Sequence, residues 1–135
     1  MLKFLATLWV LPAALPIWLF YLWPAQALGV LHRLGVDTVH GGVVIFAAHY
    51  RWAWLERLWT GWYGHALPGA IVIDFHENPE PIATLNHELR HVQQWYVLGL
   101  LFPLVYGVLL LIQGYDENLL ERDARAREGA VEVLW

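Results

Sequence analysis

Two long stretches without a charged side chain frame this sequence. Residues 4–31 and residues 92–115 contain no Asp, Glu, Lys or Arg, and either reaches the roughly 20 residues that a bilayer-spanning helix requires. The first follows Lys3 and ends in Trp18, Phe20, Tyr21 and Trp23, the aromatic residues that gather where a helix leaves the membrane. Ala25-Gln26-Ala27 imitates a signal-peptidase site, but the apolar run is longer than the roughly 7–15 residues of a usual signal core. The expectation is a retained membrane anchor over residues 1–31, kinked at Pro12 and Pro16.

Between the two stretches the pattern changes period. "HRLGVDTVHGG" reads as a polar connection, and in "VVIFAAHYRWAWLERLWTGWYG" the residues Trp52, Leu55, Trp59 and Trp62 recur at helical spacing. That face is either a core face or a helix lying in the membrane interface. "ALPGAIVIDF", rich in β-branched residues and bounded by turn formers, predicts a short strand. Asn78 as N-cap and Pro79 at the first helical position predict a helix from Pro79 to Val97. The second apolar stretch continues helically but is punctuated by Gly99, Pro103 and Gly107. A last amphipathic helix, "DENLLERDARAREGAVEVL", begins near Asp116. The expected fold is α+β and predominantly α: an anchor helix, then one small domain over residues 32–135 with a short sheet.

Composition narrows the class. Hydrophobic residues make up 59% of the 135 and charged residues only 15%, which fits a membrane-associated protein better than a soluble one. A net charge of -4 with no basic patch gives nothing for nucleic acid to bind. The absence of cysteine removes disulfides, thiolate metal sites and cysteine nucleophiles together.

The chemistry lies in "LNHELRHVQQW", residues 85–95. His87 and His91 are four residues apart, so on a helix both imidazoles share one face and can reach one zinc ion at about 2.0–2.1 Å. Glu88 is rotated about 100° around the axis, beside the ion and not on it, where it can take a proton from a metal-activated water. A pair of solvated helix histidines is the bland alternative. His65, in "WYGHALPG", is either an oxyanion-binding catalytic residue or an ordinary loop residue.

This stretch resembles the zincin metallopeptidases, specifically their glutamate-ligand (gluzincin) branch. The form "HELRHVQQ", residues 87–94, is similar to small bacterial membrane-associated HExxH proteins, and the likeness covers roughly residues 65–128. It implies a zincin-like domain, Zn²⁺ as cofactor, a peptide or protein substrate and an inner-membrane location in a bacterium. It implies too that a strand before the motif helix forms the edge on which a peptide pairs, a place that "GAIVIDF" would take. A downstream helix in a setting like "NxxExxA", here Asn118 to Ala124, supplies the third ligand, which makes Glu121 the candidate. Glu117 is the runner-up, followed by Asp123, Asp116 and His76. Arg125 stands where the branch's better-known "ExxxD" pattern has its aspartate, leaving Asp123 as the nearest carboxylate for the outer shell. No "HxxGxxH" extension follows His91, and no Asp-Gly pair lies on a later apolar helix.

The apolar stretch and the metal site constrain one another. A straight spanning helix over residues 96–113 would put His87 and Glu121 on opposite sides of the bilayer, about 30 Å apart. The breaks at Gly99, Pro103 and Gly107 therefore predict that the chain folds back, as a buried hairpin or a dip into one leaflet. The functional expectation is a membrane-associated zinc peptidase with the lipid bilayer as a partner. A non-enzymatic membrane structural or assembly protein that keeps the fold is the other reading.

Overall fold

The computed structural model describes residues 2–37, 42–48, 63–76 and 78–129. An N-terminal helix, α1 (Leu2–Ile17), passes through a π-helical turn (Trp18–Leu22) into α2 (Trp23–Ala27). Strands β1 (Leu31–Asp37), β2 (Val43–Ala48), β3 (Gly64–Leu67) and β4 (Ala70–Ile73) follow. Then come α3 (Pro81–Leu98), a 3-10 turn (Gly99–Leu101), α4 (Phe102–Glu117) and α5 (Leu119–Arg125). The architecture is α+β and mostly helical, with one four-stranded sheet in the order β1-β2-β4-β3. β2 and β4 are parallel, and the two outer pairs are antiparallel.

The sheet carries apolar residues on both faces, and each face has its own helical cover. Val43, Ile45, Ile71 and Ile73 pack against Leu85, Leu89 and Val92 of α3. Phe46, Ala48, Ala70 and Val72 pack against Leu22, with Ile17, Trp18, Tyr21 and Ala25 around it. A strand covered on both faces has no reason to alternate apolar and polar residues. The N-terminal helix thus shares a core with the sheet: its C-terminal half is a layer of the domain.

Several sequence expectations shift here. The polar connection after the anchor begins as strand β1, and "VVIFAA" forms strand β2, which the sequence pattern did not predict. The expected strand is present as β4, but it lies inside the sheet between β2 and β3. The edge next to the motif helix is β3. Helix α3 starts two residues later than expected, with Glu80 at the N-cap and Pro81 at N1. Asn78 braces that start instead of capping it: its Oδ1 accepts the Glu80 N–H at 2.9 Å, and its Nδ2 donates to Thr84 Oγ1 at 2.9 Å. The tryptophan-rich helical pattern of Trp52, Leu55, Trp59 and Trp62 lies outside the described residues.

The second apolar stretch is broken at Gly99, whose φ of 56° and ψ of -133° end α3. That conformation favours glycine, and a side chain there would collide with the Trp9 indole packed against it. Helix α4 then runs back along α3. Phe102 stacks on Trp95 with ring centroids 4.7 Å apart, and Tyr106 lies 6.2 Å from His91. Pro103 sits in the first turn of α4, where its missing N–H costs nothing, and Gly107 is simply helical. A second break, not foreseen, falls at Gly114 (φ 73°, ψ 177°) and redirects the chain into α5. By length and composition, Leu8–Ala27 and Pro81–Glu117 are the two helical segments apolar enough to cross a membrane among the described residues. The second is folded at Gly99 and is no straight rod.

Candidate metal and catalytic site

The fold-back brings α5 against α3. Asn118 caps α5, its Oδ1 accepting the Leu120 N–H at 2.9 Å, and so fixes the first turn, in which Glu121 points inward, buried. His87, His91 and Glu121 converge, each offering a ligand atom within 4.8 Å of the others. His87 Nε2 is 3.0 Å from His91 Nε2 and 3.2 Å from Glu121 Oε2, and His91 Nε2 is 3.3 Å from Glu121 Oε1. A tetrahedral zinc ion with bonds of about 2.0–2.1 Å spaces its ligand atoms about 3.3–3.4 Å apart. The two His–Glu121 distances approach that edge, each to a different carboxylate oxygen, and the His–His distance is shorter, so the rings need to part by only a few tenths of an ångström to seat an ion.

The protons on the two rings follow from their neighbours. His87 Nδ1 lies 2.8 Å from Glu128 Oε1, and a carboxylate only accepts, so Nδ1 donates. His91 Nδ1 lies 2.8 Å from Gln94 Oε1. The orientation of that amide is fixed, because its nitrogen donates to the Leu120 carbonyl (3.0 Å) and to Asp123 Oδ2 (2.9 Å). His91 Nδ1 must therefore donate as well. In the neutral rings both Nε2 atoms then carry lone pairs, and they face each other and a carboxylate with no hydrogen between them. Glu121 Oε2 is buried without a hydrogen-bond donor. Three buried electron-pair donors aimed at one point repel one another until a cation stands among them. The residues fit a zinc ion.

The carboxylates around the site set the ionisation of its residues. Burial draws the His87 pKa down, but the carboxylates of Glu121, Glu88 and Glu128 outweigh it and leave the pKa raised. Burial pushes Glu121 up, while the contacts with His87, His91 and Tyr106 more than reverse this and hold it far below the usual carboxylate range. Glu88 has the opposite fate: burial, partly offset by the two histidines, pushes it up to about 7. A carboxylate poised near neutrality suits a general base. Glu88 is held against β3, accepting a hydrogen bond from the Ala66 backbone. Gly64 permits that approach, since a Cβ there would stand 2.9 Å from Thr84 Cγ2 and 3.1 Å from Glu88 Cγ.

Of the other sequence candidates, Asp123 stands behind Gln94: its carboxylate accepts from the Gln94 amide and is forked by Arg90 at 2.6 and 3.1 Å. Glu117 is exposed and 3.7 Å from Arg122, and Asp116 and His76 are exposed too. Arg125 donates to the Asp116 carbonyl and lies over the Tyr115 ring. His65 borders the same cleft, but its register opposite Val72 puts its imidazole on the sheet face covered by the N-terminal helix. There His65 Nε2 meets the Tyr21 hydroxyl at 3.1 Å, so this placement gives no support to an oxyanion role.

Three partners were not read from the sequence: Tyr106, Gln94 and Glu128. Tyr106 donates to Glu121 Oε1 at 2.6 Å, and Gln94 and Glu128 each hold one of the two histidines. Gln94 follows His91 by three residues, a helical spacing that could have marked it. Tyr106 sits in an otherwise apolar run and Glu128 in a charged tail, so neither carried a local signal. A cleft of about 720 Å³ opens over the site, walled by β3, α3 and α4, with Glu88, Thr84, Phe102, Tyr106, Leu110 and Tyr115 in its lining. No family model matches the chain, and no curated protein or solved structure shows significant similarity to it.

Proposed function

We propose that this protein is a membrane-anchored, zinc-dependent peptidase of the zincin type. The observation that carries the reading is the convergence of His87, His91 and Glu121 on one buried point, with both histidine Nδ1 atoms committed elsewhere. When bound, zinc supplies Lewis-acid polarisation of a peptide carbonyl and lowers the pKa of a water beside it.

The chain's own residues do the rest. Glu88 takes the proton from the attacking water and returns it to the leaving nitrogen, so that water adds across the C–N bond. Its neighbour Ala66 holds the carboxylate toward the cleft. β3 is an edge of the sheet among the described residues and borders the cleft, a place where an extended peptide would add as a further strand. Tyr106 orients Glu121 through its hydroxyl, and Glu128 and Gln94 orient the two rings. The N-terminal apolar helix, whose second half packs on the sheet, tethers this domain to the bilayer through its exposed apolar surface.

The test is hydrolysis of a mixed peptide pool by the detergent-purified protein. Cleavage should cease on chelation, return with added zinc and be absent from the Glu88→Gln variant that still binds zinc. A zinc-loaded protein that cleaves nothing would favour the non-enzymatic alternative.

A further inference from the structure

From Phe102 to Ile112, helix α4 has no polar residue on the side facing away from the cleft. Phe102, Tyr106 and Leu110 line the cleft, while Leu104, Leu111 and Ile112 point away and are 63%, 88% and 76% exposed. A helix that is apolar all round requires a dry neighbour on each side, and a contiguous apolar surface of this kind marks an interaction site. The surface does not stop at α4. Val97, Leu100 and Leu101 are exposed at the hairpin tip, and Trp9 of the N-terminal helix packs against that tip at Gly99. Leu15, Phe20 and Trp23 of the same helix are exposed in turn.

The occupant of this surface follows from its composition. Residues 95–112 contain no charged residue and no Asn, Gln, Ser, Thr or His, so this stretch suits a dry surrounding, and the adjoining Leu8–Ala27 segment is itself apolar. From His91 to the tip at Gly99 the helix advances about 12 Å, less than half of the roughly 30 Å hydrocarbon core. The hairpin therefore fits within one leaflet. His91, immediately before the uncharged run, then lies at headgroup depth, with Glu80 and Glu128 of the cleft wall toward water.

We propose that α4 is the lipid-facing wall of the cleft, and that the site takes extended juxtamembrane segments of membrane-inserted proteins in preference to soluble peptides. This rests on the zinc-peptidase reading and deepens it. A substrate held in the same bilayer approaches along β3 at headgroup depth, and its high local concentration adds to the binding that the cleft supplies.

The experiment has two readouts. The chain has no cysteine, so nitroxide labels can be placed singly at Leu104→Cys and, as an aqueous control, at Glu117→Cys in phosphatidylcholine vesicles. The label at 104 should be reached by oxygen and shielded from a water-soluble nickel reagent, and the label at 117 should show the reverse. In parallel, a randomised ten-residue peptide pool is offered free in solution or joined to a single transmembrane helix in the same vesicles. Cleavage should favour the anchored pool by roughly tenfold or more. A water-exposed label at 104, or equal cleavage of both pools, would overturn the proposal while leaving the peptidase reading intact. Failure to cleave either pool with zinc bound would remove the peptidase reading, and this proposal with it.

Discussion

Glu88→Gln separates the catalytic role of this residue from a ligand role, and it makes a second, independent statement about stability. The carboxylate is buried against Gly64 and Ala66, and its pKa rises from 4.5 to about 7 chiefly because burial disfavours the charge. A raised carboxylate pKa means that the folded state binds more protons than the unfolded state between those values. Stability is thus fully present below about pH 4.5 and is lost as pH rises toward 7. The displacement corresponds to about 3 kcal/mol. Glutamine is nearly isosteric, still accepts from the Ala66 N–H, and never ionises. Metal-stripped Glu88→Gln should match the parent in stability at pH 4.5 and exceed it by up to about 3 kcal/mol at pH 8. Urea unfolding in detergent at the two pH values measures this. In the zinc-loaded protein the substitution should leave the metal in place and slow hydrolysis by about 10²–10⁴-fold. The reasoning fails if Glu88→Gln loses zinc as completely as His91→Ala, or if its stability advantage is the same at both pH values.

Three further outcomes follow from particular contacts. Tyr106→Phe removes the 2.6 Å hydrogen bond to Glu121 and should weaken zinc binding by about 10–100-fold, read by competition with a chelating dye; unchanged affinity would deny Tyr106 a part in holding the ligand. Leu22→Ala, at a fully buried position between the N-terminal helix and the sheet, should destabilise the fold by about 2–5 kcal/mol in denaturant titration, whereas a free-standing anchor would lose almost nothing. His65, pulled down to about 4 by burial, contributes stability that is present above about pH 6.5 and is lost as pH falls toward 4; His65→Gln should flatten that acid limb in a pH series without changing zinc content.

What the sequence disclosed and what it hid divide along physical lines. The motif helix was legible because a four-residue histidine spacing has one meaning on a helix, and Glu121 was suggested by the family-like setting around Asn118. The fold-back was legible as a necessity, since a third ligand could lie only beyond residue 115, but its place was not. Gly99 turns the chain because its positive φ and the Trp9 contact coincide there, and Gly107 looks the same in sequence yet stays helical. Strand β2 was hidden because Val43 to Ala48 is apolar on both faces and lacks the period-2 signature of a half-buried strand. Strand β1 was hidden by the register shift between Arg33 and Gly35, which breaks its alternation. His65 shows the limit in the other direction: its pairing with Val72 across the Pro68-Gly69 turn is local, but that the N-terminal helix covers that face of the sheet is a long-range fact that local sequence does not carry.

X-ray absorption at the zinc edge on protein purified from zinc-supplemented cells tests the central claim most directly. The account predicts about one zinc per chain, with two imidazole nitrogens and carboxylate oxygen at about 2.0–2.2 Å, and loss of that signal in the Glu121→Ala variant. A protein that purifies metal-free with His87, His91 and Glu121 intact, or whose zinc spectrum is unaltered by Glu121→Ala, would contradict it.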